Sequence, residues 1–307
     1  MASSKTSIYS ALLANLLIAV TKFIAGAISN SGAMIAEGIH SVVDTVNELL
    51  LLLGLHQSKK KADATHPFGY GKELYFWSFI VSILIFGLGG GISIYQGVLH
   101  VIRPEPLDNP TINYIVLGLS IIFEGASLIV AAKHFNQARG ETPWWEAIVK
   151  SKDPSNFLVL FEDSAAVAGL VIVLICTFLN HHFHLPYLDG VASILVGLVL
   201  VAVSAILARE SRSLLMGEGI APETKTKICQ LVERDPSVSK VMHILSTYQS
   251  PEEILLMLII NFKDDIDSQD LNIVIDRIRA TVKKEWNLVR FVIIQPETVA
   301  HQDTFME

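Results

Sequence analysis

One strongly apolar stretch of this chain contains Glu37, His40, Asp44, Asn47 and Glu48. Positions 37, 40, 44 and 48 are three or four apart, so a helix places them on one face. Because they are four apart, the His40 imidazole and the Asp44 carboxylate can grip one ion from consecutive turns. A second apolar stretch has Glu162 and Asp163 side by side near its start, with Asn156 seven residues before Asp163. One nitrogen and two or three carboxylate oxygens from two helices make a four-coordinate set for a borderline divalent cation. Zinc suits that set, and cobalt, iron and manganese stay open because carboxylates also favour harder ions. The competing reading is a buried polar network that only holds helices together.

These residues need elements that hold them at depth. Hydrophobic residues make up 51% of the 307 residues and charged ones only 17%, against about 25% charged in an ordinary soluble domain. Six stretches, 7–29, 33–55, 74–102, 112–132, 157–180 and 187–208, have about the 20 apolar residues that cross a bilayer. The first is too long for a signal-peptide core and runs straight into the second, so the reading is six spans and no cleavable leader. An ionisable group within a span costs about 2.5–3.5 kcal/mol or more, which makes the acidic face functional by default. Lys59, Lys60, Lys61 and Lys72 follow span 2; Lys133, Arg139, Lys150 and Lys152 follow span 4; Arg209 and Arg212 follow span 6. The alternate connections carry only Arg103. Positive loops stay inside, so both termini of this multi-pass integral membrane protein are expected in the cytoplasm, or on the equivalent side of an organelle membrane.

The sequence divides near residue 209 into a transport-type membrane region, 1–208, and a polar tail, 209–307. In the tail, a helix over 222–234, strands over 240–248 and 254–262, a helix over 268–284 and a strand over 289–294 give the order αββαβ. The net charge of −7 and a pI near 5.8 exclude a basic nucleic-acid-binding surface. Cys176 and Cys229 are too few for a disulfide framework or a thiolate cluster. Gly87 and Gly91 suit close helix contact, with a bending point in span 3 as the alternative. Trp144 and Trp145, in the polar connection 134–156, read either as interface anchors or as packing on the tail. His181, His182 and His184 are either solvated or a metal-collecting cluster. Lys22 reads as a paired or snorkelling cation, and Glu124, a possible partner for it, is left out of the site.

The chain resembles the cation diffusion facilitator family of divalent-metal transporters. Its marks are Ser29-Asn30-Ser31-Gly32, leading to Glu37-Gly38-Ile39-His40-Ser41-Val42-Val43-Asp44, and His66-Pro67-Phe68-Gly69-Tyr70-Gly71-Lys72-Glu73. Later come Leu160-Phe161-Glu162-Asp163-Ser164-Ala165-Ala166 and Ser213-Leu214-Leu215-Met216-Gly217-Glu218. The resemblance implies a membrane α-helical bundle of six transmembrane helices with a C-terminal ferredoxin-like α+β cytoplasmic domain for dimerisation and regulation. It implies a homodimeric secondary transporter, not an enzyme, that exports zinc or a similar ion by alternating access in exchange for protons. Zinc is then cargo and no prosthetic group is expected.

From the family pattern, His40, Asp44 and Asp163 carry over as transport ligands. Val159 stands where span 5 usually has a His, and Glu162 joins the set as in the zinc transporter nine-like branch. Asp63 and His66 remain of a loop site in which Tyr70 replaces a further His. His243 matches one tail ligand, whereas 293–297 and the strand around Ile260 lack the others, so the tail is expected to dimerise without a full metal cluster. An unperturbed His titrates near pH 6.5, which makes proton competition at His40 an expectation. A metal-gated channel or sensor is the rival class; an intramembrane metalloenzyme is disfavoured because no His-Glu-x-x-His is present.

Overall fold

The computed structural model describes residues 2–104, 110–263 and 266–297. Two compact units emerge. The first holds the chain up to Gln57 together with Glu73–Arg212; the second holds Ser58–Lys72 and the chain from Ser213 on. The lysine-rich segment 58–72, expected with the membrane region, thus belongs to the tail's unit. There Phe68 meets Phe291 edge-on, with ring centroids 5.4 Å apart, and Lys72 Nζ donates to the Leu215 carbonyl at 3.5 Å.

The first unit consists of α1 (Ala2–Ser29), α2 (Gly32–Ser58), α3 (Glu73–Leu84), α4 (Ile92–Ile102), α5 (Pro110–Arg139), α6 (Trp144–Lys150), α7 (Pro154–Phe183) and α8 (Tyr187–Met216), the last running on into the second unit. Among the described residues five helical stretches are long and apolar enough to cross a membrane: α2, α3 with α4, α5, α7 and α8. The sixth expected span is α1, whose described apolar part is Asn15–Ser29. The molecule is therefore a helical membrane bundle followed by a small α+β domain.

Span 3 is not a uniform α-helix. A π-helical segment, Ile85–Gly91, joins α3 to α4. Four glycines in seven residues weaken the α ladder enough to admit the wider turn. A Cβ on Gly87 would meet nothing within 4 Å and one on Gly91 would meet the Phe86 carbonyl oxygen at 3.7 Å, so they are not the close-contact pair expected. That role falls to Gly90 and Gly97, seven residues apart, against Gly190 and Gly197 on α8. A Cβ at Gly97 would lie 2.7 Å from the Gly190 carbonyl oxygen, and one at Gly197 would lie 2.9 Å from that of Gly90. Only hydrogens fit between these backbones.

The helix that carries His40 and Asp44 is fixed at its start. Asn30, at φ 54°, ends α1. Ser31 Oγ accepts the Met34 N–H at 3.2 Å and donates to Asp189 Oδ1 at 2.5 Å. Asp189 Oδ2 accepts the Ala33 N–H at 3.1 Å. Two of the first, otherwise unsatisfied N–H groups of α2 are thereby capped, one by Ser31 and one by Asp189 of α8.

In the second unit, α9 (Pro222–Val232), β1 (Val238–Ser250), β2 (Glu253–Phe262), α10 (Ser268–Glu285) and β3 (Val289–Pro296) give the order αββαβ. The sheet order is β1-β2-β3, antiparallel then parallel. Apolar residues of both helices, such as Ile228, Val274 and Ile278, share one core with Leu256, Leu258, Ile260 and Ile294, so both cover one sheet face. Gly217, at φ +105°, stops α8: its N–H bonds Leu214 O, and that of Glu218 bonds Ser213 O.

Candidate metal centre

Both ring nitrogens of His40 are buried and without a hydrogen-bond partner among the described residues, as is Asp44 Oδ1. His40 is 1% exposed and its Nδ1 lies 3.3 Å from Asp44 Oδ1. Burying unpaired polar atoms costs about 1–3 kcal/mol each. Donors left in that state, aimed at one another across one helix turn, have the chemistry of ligands.

From α7, Glu162 reaches the same turn of α2. Its Oε1 accepts from Asn47 Nδ2 at 2.5 Å, and its carboxyl is within hydrogen-bonding reach of Asp44. Asp163 turns elsewhere: its Oδ2 accepts the Ser127 hydroxyl of α5 at 2.8 Å. Successive helical residues are about 100° apart, which is why two neighbouring carboxylates serve different partners. Asp44, Glu162 and Asp163 nevertheless line one cavity of about 320 Å³, together with Asn15, Ser41, Glu48, Glu124 and Ser127. His40 is not among the lining residues, and it meets the site through Asp44, 3.3 Å away. Among the described residues no three His, Cys, Asp or Glu side chains stand close enough to enclose an ion; the donors are gathered around a cavity and not closed on a point. The side chain of Asn156 lies outside the described residues.

Two other acidic groups of the spans, Glu37 and Glu48, have side-chain partners. Lys22 Nζ donates to Glu37 Oε2 at 3.2 Å and to Ser41 Oγ at 2.8 Å, with Lys22 and Glu37 both fully buried. Glu37 is thus a partner of Lys22, whereas Glu124, the possible partner named from the sequence, lines the cavity. Glu48 accepts from Asn15 at 3.3 Å. Sequence reasoning missed Ser127; its only signal was a small hydroxyl three residues after Glu124.

The loop residues behave differently. Asp63 accepts the Thr65 N–H and hydroxyl at 2.9 and 2.7 Å, the His66 N–H at 2.7 Å and the Tyr70 hydroxyl at 2.8 Å. The Thr65 hydroxyl first, then Tyr70 and the His66 amide, hold its carboxyl well below the usual carboxylate range. His181, His182 and His184 are exposed, and His182 stacks on Phe178 at 6.0 Å. Trp144 packs on Phe135 at 5.3 Å under the Arg139 guanidinium; the side chain of Trp145 is outside the described residues. His243 lines a shallow pocket with Cys229 and Lys225.

The family model for the cation efflux transmembrane domain matches residues 8–216. The proton-coupled zinc antiporter SLC30A9, mitochondrial, of Xenopus laevis is 32% identical over 287 residues, 91% of this chain and 51% of that protein. The metal tolerance protein C4 of Arabidopsis thaliana is 32% identical over 285 residues, 92% and 61% of the two chains. The chain spans about half the length of the first of these relatives. Among solved structures, the cadmium form of a MamM CTD variant covers 25% of this chain and 95% of its own, at 18% identity and a TM-score of 0.24. The relatives are cation transporters, not enzymes.

Proposed function

The chain belongs to the cation efflux, or cation diffusion facilitator, family, in its zinc transporter nine-like branch, and from that premise we propose that it carries zinc out of the cytoplasm in exchange for protons. His40, Asp44, Glu162 and Asp163 are the transport ligands, supplied by α2 and α7. The observation that carries this reading is the unpartnered face of His40 and Asp44 beside a carboxylate-lined cavity. One neutral imidazole and three carboxylates match a borderline cation. Each ligand must lose its proton to bind metal, so protons and zinc compete for one set of groups and alternating access couples their flows. Asp163 leaves Ser127 to close the site around the ion. Both termini lie in the cytoplasm, residues 1–208 form the transport region, and residues 209–307 serve dimerisation of a homodimer and its regulation.

Full-length protein in proteoliposomes with an imposed pH gradient tests the proposal. Zinc accumulating against its own gradient while protons run down theirs is the expected result. Zinc flux that only follows its own gradient would show a channel, and no zinc flux would remove the function.

A further inference from the structure

Lys22 and Glu37 are absent from the ligand set, yet they are among the most deeply buried charged groups of the membrane region. A buried ion pair offsets its own desolvation only with good geometry and further hydrogen bonds, so its retention beside the site needs a reason. The Lys22 ammonium bridges Glu37 Oε2 at 3.2 Å and Ser41 Oγ at 2.8 Å. Those two residues are four apart on α2, on one face, and His40 lies within the turn they delimit. The far side of the pair reaches α7: a Cβ on Gly169 would lie 3.0 Å from Glu37 Oε1. One cation from α1 thus ties down the turn of α2 that presents the imidazole, and its carboxylate partner fits a notch in the helix carrying Glu162.

The His40 ring has no hydrogen bond of its own to orient it among the described residues. Metal-bound imidazoles are ordinarily aimed by a partner on the second nitrogen. Among the described residues His40 Nδ1 lies 3.3 Å from Asp44 Oδ1 without a hydrogen bond, so packing and the backbone turn orient the ring. We propose that Lys22, through Ser41 and Glu37, is a positioning residue for His40 and thereby sets the preference for a nitrogen-favouring cation over an oxygen-favouring one. The inference rests on His40 being a transport ligand. Zinc draws on the imidazole more than manganese does, so loosening the turn costs zinc more than manganese.

The test compares zinc and manganese transport by full-length wild type, Ser41→Ala, Lys22→Arg and the double variant Lys22→Met with Glu37→Met, in proteoliposomes. The double variant removes both charges together, which avoids leaving Glu37 buried and uncompensated. Thermal unfolding in detergent confirms that each protein is folded. Ser41→Ala should lower the zinc-to-manganese ratio of kcat/KM by about threefold to tenfold, and the double variant by at least as much, while Lys22→Arg keeps most of the preference. In a His40→Asp background Ser41→Ala should leave the ratio unmoved, because the group being positioned is gone. Equal loss of both metals, or an unchanged ratio in folded Ser41→Ala and double variants, would overturn the positioning role. Wild type that moves neither metal would instead overturn the transport reading on which the inference stands.

Discussion

Two aspartate–histidine pairs lie close together in this chain and end in opposite states. His40 and Asp44 are four apart on a helix, and Asp63 and His66 are three apart in a loop. Asp63 receives four donors, from Thr65, His66 and Tyr70, which close a turn around it. Asp44 Oδ1 and both nitrogens of His40 receive none among the described residues. Residue type and spacing are nearly the same. What separates a turn from a ligand set is whether the lone pairs are already occupied by the protein's own N–H and O–H groups.

The largest effect expected from that contrast is at Asp44. Asp44→Asn keeps the shape but removes the anionic ligand, and zinc transport should fall more than about 100-fold with folding retained. Asp63→Asn, in a carboxylate already committed to its loop, should transport within about twofold of wild type, since its bonds are local. Equal losses in the two variants would erase the distinction between them. Initial zinc uptake rates in proteoliposomes at equal protein loading decide it.

A smaller effect separates the two adjacent carboxylates of α7. Glu162 lies within the Asp44 cluster, so Glu162→Gln should weaken zinc by about tenfold. Asp163 is restrained by Ser127 at 2.8 Å, and Ser127→Ala should free it and tighten zinc by about threefold. Competition binding against a zinc indicator reads both. If Ser127→Ala weakens zinc instead, the serine belongs to the site as a support and Asp163 does not need to leave it.

How much of this was legible in the sequence follows the same division. Periodic patterns rest on burial, so five of the six stretches and the αββαβ order could be read directly, with strand ends displaced by two residues or so. The Gly90 and Gly97 contacts could not, because any of the glycines in Gly87-Leu88-Gly89-Gly90-Gly91 satisfies a spacing rule and only the facing helix selects among them. The match of Lys22 with Glu37 was hidden for a similar reason: a lysine in one span and several acids in others leave the pairing to packing. Position within a helix told which side chains share a face; it could not tell that Asp163 bonds Ser127, since that partner comes from a different helix. Chain order also concealed that 58–72 packs with the tail, 141 residues and more downstream.

The smallest expected effect is at the loop, and its pH dependence sharpens the contrast. The Thr65 hydroxyl, Tyr70 and the His66 amide depress the Asp63 carboxyl, so the folded loop binds its proton less readily than an unfolded chain, whose Asp titrates near about 3.9. A depressed acid contributes stability that is fully present above that unfolded value and is lost as pH falls toward the folded one. Between about pH 5 and 8 the contribution is therefore constant. Amide exchange at Thr65 and His66, whose N–H groups donate to Asp63 Oδ1 at 2.9 and 2.7 Å, reports it directly. Asp63→Asn should exchange these amides faster than wild type by a ratio that stays flat across pH 5 to 8 and shrinks only at lower pH, as the wild-type carboxylate begins to take up its proton. The side chain is about half exposed, so the ratio should be modest, about threefold. A ratio that persists unchanged at pH 3 would mean that the charge on the carboxylate is not what closes the turn, and that the contrast with Asp44 does not rest on ionisation.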